Sequence, residues 1–354
     1  MDCDYLIVGQ GLAGTVLGRQ LRARGRHVVF VDRGEPGTAS KVAAGLINPI
    51  TGQRVHLTWR WAEFHDVARR FYSDIEAETG VIFFRKTPLV RILREASDVK
   101  RWEETRLHPE VLACLSDPQP VPLTRPGSVN PGLAGFEIAS AYMLNVPEFL
   151  AASRKVFEVR TEELNVVNQI DAQSDRVVIE TRGGAVSAER VVFCQGPDGQ
   201  RGNPFFDWVP FNCAKGEILT VECEALRDEH RVLNGPGWLA PLPGQPGVFR
   251  AGSTYAHSDL SNTPTSEGRG SIEDNLRRLL KAPFETVDHA AAVRPIIRRS
   301  RALAGMHPTH TRVGFFNGLG SKGTLNAPAI AEKFVAQLED GIPMDHELDL
   351  LRNL

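Results

Sequence analysis

Two glycine loops and a group of arginines hold the residues whose types and spacing could do chemistry. The first loop, Gly9-Gln10-Gly11-Leu12-Ala13-Gly14, has the pattern G-x-G-x-x-G. Gly9 allows a tight turn, Gly11 removes a side chain where backbone must approach a pyrophosphate, and Gly14 lets a helix pack close to a strand. The free N–H groups of Leu12, Ala13 and Gly14 at the helix start would face two negative phosphates. Asp32, 18 residues beyond Gly14, can accept hydrogen bonds from a ribose diol. The same carboxylate would repel a 2′-phosphate, which disfavours NADP. Arg33 beside it is either a solvated strand-end charge or a group that stacks on adenine. The pattern predicts a bound dinucleotide.

The second loop, Gly318-Leu319-Gly320-Ser321-Lys322-Gly323, matches the same pattern. The chain runs 31 residues past it without a second strand ending on an acid, so it is not another complete nucleotide-binding unit. A glycine loop feeding a helix still presents unpaired N–H groups to negative charge. Gly318, Gly320, Ser321, Lys322, Gly323 and Thr324 are therefore read as cofactor-binding, with a glycine-rich cap as the competing reading.

These loops need elements to hold them. Residues 4–8 and 27–31 are short β-branched runs that read as buried strands. Residues 13–24 read as a helix stopped at Gly25. The second loop follows a strand over 313–316 and leads a helix over 327–338. Residues 58–78 read as an amphipathic helix with Phe64, Val67, Phe71 and Ile75 on one face. Residues 146–157 read as a further helix. Residues 176–180 and 190–194 read as strands joined by a turn at Arg182-Gly183-Gly184. Segments 82–93, 136–144, 217–222 and 248–253 suit antiparallel strands. Residues 118–131 hold five prolines and read as a loop or extended connector.

A length of 354 residues points to two domains. A net charge of −2 gives no electrostatic footprint for nucleic acid or acidic membranes. No uninterrupted apolar run approaches membrane-spanning length, and the first residues enter a strand without a basic region or cleavage site. These features predict a cytoplasmic protein with neither a nucleic-acid nor a membrane partner. The five cysteines form no C-x-x-C pair and read as free thiols, with no disulfide and no metal site.

Taken in order, the motifs resemble the D-amino acid oxidase superfamily of FAD-dependent amine oxidases, which includes glycine oxidase and monomeric sarcosine oxidase. The match spans nearly the whole chain. Beyond residues 4–32, Thr38-Ala39-Ser40-Lys41-Val42-Ala43-Ala44-Gly45-Leu46 is similar to the segment on which flavin lies in glycine oxidase. Val191-Val192-Phe193-Cys194-Gln195-Gly196 resembles the strand and turn closing the FAD domain. Lys215-Gly216-Glu217 resembles the Arg-Gly-Gln/Glu start of a substrate-domain strand. Val293-Arg294-Pro295 and the second glycine loop stand where the family has its carboxylate-binding arginine and flavin-facing glycines. Two departures are plain. Trp238-Leu239-Ala240-Pro241-Leu242 replaces the family's Tyr-x-x-Pro-Arg strand, and residues 302–312 lack the cysteine that anchors flavin in sarcosine oxidase.

The resemblance implies an α/β fold. It has an FAD-binding Rossmann-like domain of the glutathione-reductase type and a substrate domain on a mixed, largely antiparallel β-sheet. Residues 1–75, 146–205 and 294–354 would form the first, and residues 76–145 and 206–293 the second. Non-covalent FAD is the implied cofactor, with a histidyl link left open, and its site includes Ser40, Ala43, Ala44, Gly45 and Gly196. Arg294 would grip a substrate carboxylate through two hydrogen bonds. Arg54 would add a second positive group, or be a loop charge. Lys322 would be a cation stabilising the flavin anion or superoxide, or face solvent. Tyr255 and His257, two apart on an alternating strand, would share a face and touch substrate or act as a base. Trp238 would wall the pocket or sit in the core.

The implied activity is oxidation of a C–N bond in a small, carboxylate-bearing amino acid or N-substituted amino acid, by hydride transfer to flavin N5 with oxygen as acceptor. Three alternatives stay open. One is a flavin domain acting on the carboxymethylamino group of a tRNA wobble uridine. Another is a 2-hydroxy-acid dehydrogenase, and the third is a non-catalytic flavin-binding subunit. Side chain, stereochemistry, electron acceptor and oligomeric state are not legible.

Overall fold

The computed structural model describes the chain apart from residues 52–54, 117–127, 162–174, 182, 202 and 354. The predicted turn at Arg182 and most of the proline-rich connector lie outside the described residues.

Two large sheets carry the fold. In the first, strands run in the order Glu158–Thr161, Val28–Asp32, Asp2–Val8, Val186–Phe193, Val313–Asn317, Leu303–Met306. All neighbours are parallel except Leu303–Met306, which closes the edge antiparallel. Val177–Ile179 adds antiparallel to the start of Val186–Phe193. Alternate residues enter two cores. Tyr5, Ile7, Val28 and Phe30 enter one, and Leu6, Val8, Val29 and Val31 the other. This explains why these strands are apolar throughout rather than alternating.

The helices Leu12–Ala23 and Gly323–Asp340 pack together within the first of these cores. The second begins four residues before the predicted start at 327 and contains Pro328. Proline has no N–H for the carbonyl of Thr324, four residues back. The buried hydroxyl of Tyr72 donates to that carbonyl instead, at 2.9 Å. Tyr72 belongs to the helix Trp61–Thr79, which starts three residues later than predicted because Arg60 stands in the left-handed region at φ 52. Glu63 and Asp345 hold the Arg60 guanidinium there. The buried face is Phe64, Ala68, Tyr72 and Ile75, with Val67 and Phe71 partly buried beside it. The strand predicted over 190–194 is Val186–Phe193, and the helix predicted over 146–157 is Val146–Arg154.

In the second sheet the order is Glu285–Arg294, Ala214–Glu222, Val248–Gly252, Trp238–Pro241, Val232–Asn234, Leu89–Leu93, Ala134–Ile138. Every pair is antiparallel except Val232–Asn234 with Leu89–Leu93. Ser266–Leu279 covers one face, burying Ile272, Leu276 and Leu279 against Leu219, Val221, Phe249 and Ala251. A three-stranded sheet of Leu46–Ile47, Tyr142–Leu144 and Phe84–Lys86 completes the frame. This is the predicted α/β class, with one mainly parallel and one largely antiparallel sheet. The five cysteines are buried free thiols. Among the described residues, no helix is long and apolar enough to cross a membrane.

Candidate active site

A cavity of about 410 Å³ is lined by residues from both sheets. At one end are Gly9, Gly11, Leu12, Ala13, Asp32 and Arg33, and at the other Trp238 and Arg294. Gly9 has φ +100, and a Cβ there would fall on the Cys194 carbonyl. A Cβ on Gly14 would strike the Gly9 carbonyl oxygen, so Gly14 works by packing and does not itself line the cavity. Ser40 lines the cavity and its hydroxyl accepts the Leu12 N–H at 3.0 Å. The N–H groups of Ala13 and Gly14 have no acceptor among the described residues. They are the orphan donors that a pyrophosphate would satisfy.

Asp32 does more than was predicted. One carboxylate oxygen accepts the Gln10 N–H at 2.7 Å and the other the Gly34 N–H at 2.8 Å. It shapes the glycine loop and keeps lone pairs for a ribose. Arg33 is the exposed strand-end charge expected, and it is paired rather than free. It is held by Asp198 and by Glu35, the latter at 2.7 Å. Burial lifts the Asp198 carboxyl above its ordinary range despite that arginine. Ala43, Ala44, Gly45 and Gly196 line the cavity. Gly45 has φ +73, and a side chain there would collide with the Leu144 carbonyl.

From the second loop, Gly320, Ser321, Gly323 and Thr324 reach the cavity, but Gly318 and Lys322 do not. Gly318 has φ +80, and a Cβ there would strike Ile297, so its task is the turn after the strand. The Lys322 amine donates to the Thr51 hydroxyl at 3.0 Å, with Thr58 at 3.5 Å. Burial lowers its pKa. This corrects its expected place beside the cofactor: the hairpin Ile50–Thr51 with His56–Leu57 supplies two hydroxyls that take the amine. Arg54 lies outside the described residues.

Arg294 ends its strand inside the cavity wall. Its guanidinium donates to the carbonyls of Lys215 at 3.3 Å and Thr254 at 3.2 Å, and to the Ser253 hydroxyl at 2.9 Å. No carboxylate pairs with it among the described residues. Burial lowers its pKa, while the Tyr255 ring lies 5.3 Å from the guanidinium carbon. Trp238, Ile218, Ser253, Leu260, Asn262 and Ala292 line the same region.

Tyr255 and His257 do not line the cavity. They share a face, with ring centroids 5.3 Å apart, but Tyr255 is 56% exposed and His257 Nδ1 lies 3.0 Å from the Cys213 carbonyl. The strand ends at Gly252, so alternation no longer governs where these side chains point. Both therefore stand outside the cavity lining where alternation predicts them, with Tyr255 packed on the Arg294 guanidinium. Arg250 was not anticipated. From the second sheet it donates to the carbonyls of Val42 at 3.1 Å and Ala43 at 3.0 Å, clamping the segment that carries Ala43 to Gly45. The signal was an arginine between buried Phe249 and Ala251. Leu260 and Asn262 sit in a polar loop with no periodicity to mark them.

A family model described as FAD dependent oxidoreductase (DAO) matches residues 4–337. The chain is 26% identical over 366 residues to glycine oxidase from Pseudomonas aeruginosa, covering 96% of each protein. It is 26% identical over 399 residues to a tRNA 5-methylaminomethyl-2-thiouridine biosynthesis bifunctional protein from Burkholderia pseudomallei, covering 98% of this chain and 58% of that one. Among solved structures, glycine oxidase from Geobacillus kaustophilus gives a TM-score of 0.80 at 19% identity, over 100% of this chain and 99% of that chain. L-proline dehydrogenase from P. horikoshii gives 0.78 at 13% identity, over 98% and 96%. The structural likenesses establish the fold.

Proposed function

Since the chain belongs to the FAD-dependent oxidoreductase (DAO) family, we propose that it oxidises the C–N bond of a small amino acid or N-substituted amino acid, with oxygen as electron acceptor. The observation that carries this reading is Arg294. It is a partly buried guanidinium in the cavity wall with neutral partners and no counter-ion among the described residues. Three of its five N–H donors are used, which leaves two for a carboxylate. The similarity to glycine oxidase along nearly the whole chain supports the amine class.

When bound, FAD supplies the two-electron oxidant and the N5 position that takes the substrate α-hydrogen. The chain's own residues hold and orient. The amide of Ala13, at the start of its helix, receives the pyrophosphate, and Asp32 the ribose. Gly323 and Thr324 begin a helix whose first N–H groups favour negative charge at the cavity. Arg294 fixes the substrate carboxylate, and Trp238 and Ile218 exclude water. Residues 1–75, 146–205 and 294–354 form the cofactor half in this reading, and residues 76–145 and 206–293 the substrate half. The cofactor is held without a covalent link. His307 and His310 pack among Phe205, Phe206 and Trp208 outside the cavity lining. Cys194 reaches the cavity, but burial pushes its thiol pKa far up, against thiolate formation.

Purified holoprotein supplied with glycine, N-methylglycine or D-alanine should consume oxygen and release hydrogen peroxide with a keto or aldehyde product. Absence of peroxide with all three sinks the oxidase reading.

The likeness to the bifunctional tRNA protein over 98% of this chain favours one second reading, in which the amine belongs to a modified tRNA base. A salt-dependent gel shift with tRNA supports it, and no shift at low salt removes it.

A further inference from the structure

Lys215 and Glu217 form a buried charged group that neither the cofactor nor Arg294 explains. They are 1% and 4% exposed. The Lys215 amine donates to Asp259 Oδ2 at 2.6 Å, to the Thr263 carbonyl and, at 3.4 Å, to the Ser261 hydroxyl. Its backbone N–H donates to the Ala256 carbonyl at 2.7 Å, and its carbonyl accepts from Ala256 at 3.0 Å. Glu217 accepts from the Thr265 N–H at 2.9 Å and hydroxyl at 2.8 Å, and faces His289 Nε2 at 2.8 Å. The Glu217 N–H donates to the Thr254 hydroxyl at 2.9 Å. The two side chains and their backbone thus stitch down residues 254–265 from one end to the other.

That loop has no apolar grip of its own. No residue from Ser253 to Glu267 is buried. Yet it brings Leu260 and Asn262 to the cavity, and Asn262 Oδ1 accepts the N–H of Val293, the residue before Arg294. A lysine amine taken out of water needs partners, and here they all come from the loop or from Glu217. Between Lys215 and Glu217, Gly216 leaves the space that the Arg294 guanidinium fills. One tripeptide therefore places both the carboxylate-binding arginine and the loop that shares its cavity.

We propose that residues 254–265 are a substrate-size loop, with Leu260 as its specificity-determining residue and Lys215 as the positioning residue that fixes it. The inference rests on the carboxylate reading of Arg294. It makes the loop the element that sets how large a group is accepted beside the carboxylate.

The test is titration of holoprotein with acetate, propionate and butyrate, read by the change in flavin absorbance. Leu260→Ala is expected to shift relative affinity toward butyrate about tenfold, the scale of one to two methylenes in a pocket. Lys215→Met should move the ratio the same way at unchanged flavin content, which a merely structural role would not do. If Lys215→Met does not fold, Asp259→Ala releases the tether from its exposed end and should have the same effect. Unchanged ratios in Leu260→Ala and in the tether variant overturn the inference while leaving the function standing. A wild-type protein that binds none of the three acids overturns the carboxylate reading, and the inference with it.

Discussion

Gly216 lies against the guanidinium of Arg294 so closely that a Cβ at Gly216 would occupy the same space. The pair is set by strand register, since Ala214 opposes Arg294 and the arginine folds back along the neighbouring strand. Gly216→Ala should therefore displace Arg294 from its place in the cavity wall. Loss of one charge-assisted hydrogen bond, about 1.5–3 kcal/mol, corresponds to a rise of tenfold or more in the Kd for acetate. Flavin content should stay at the wild-type level. Absorbance titration of the two proteins checks this.

Arg294→Lys keeps the charge and loses the planar fork. Its kcat/KM for a carboxylate-bearing amine should fall by one to two orders of magnitude, about 1.5–3 kcal/mol. Uncharged amines should show a much smaller fall. Steady-state oxygen uptake with both substrate types tests the contrast.

Tyr72→Phe removes the donor that satisfies the Thr324 carbonyl above Pro328. An unsatisfied buried carbonyl should cost about 1–3 kcal/mol in denaturant unfolding. Adding Pro328→Ala restores an N–H four residues on and should recover much of that loss. The double-mutant cycle reads the coupling directly.

Gly14→Ala should yield protein with little FAD, because the added methyl meets the Gly9 carbonyl and opens the loop. Arg250→Met should keep the fold but weaken FAD binding about tenfold, by freeing the Val42 and Ala43 carbonyls from their clamp. The ratio of flavin to protein absorbance measures both.

The nucleotide loop was legible because its signals are local: a buried strand, three spaced glycines, a helix and an acid after the next strand. The same locality misled at the second loop. The helix expected over 327–338 starts at Gly323, and Tyr72, far away in sequence, lets Pro328 stand inside it. Alternation was carried past Gly252, where the strand ends, and so Tyr255 and His257 were aimed at the cavity. Lys322 was assigned by its loop, but its amine follows Thr51 and Thr58, which the chain brings from more than 260 residues away. Arg250 and Lys215 act across long separations too, and neither leaves a periodic trace.

The central claim is that FAD in this cavity is reduced by an amine whose carboxylate Arg294 holds. Anaerobic titration of the holoprotein, followed by loss of flavin absorbance, tests it most directly. Glycine or N-methylglycine should bleach the flavin in the wild type and do so far more slowly in Arg294→Met, while 2-hydroxyglutarate should leave it oxidised. Bleaching by the hydroxy acid alone, or by no donor at all, would contradict the account.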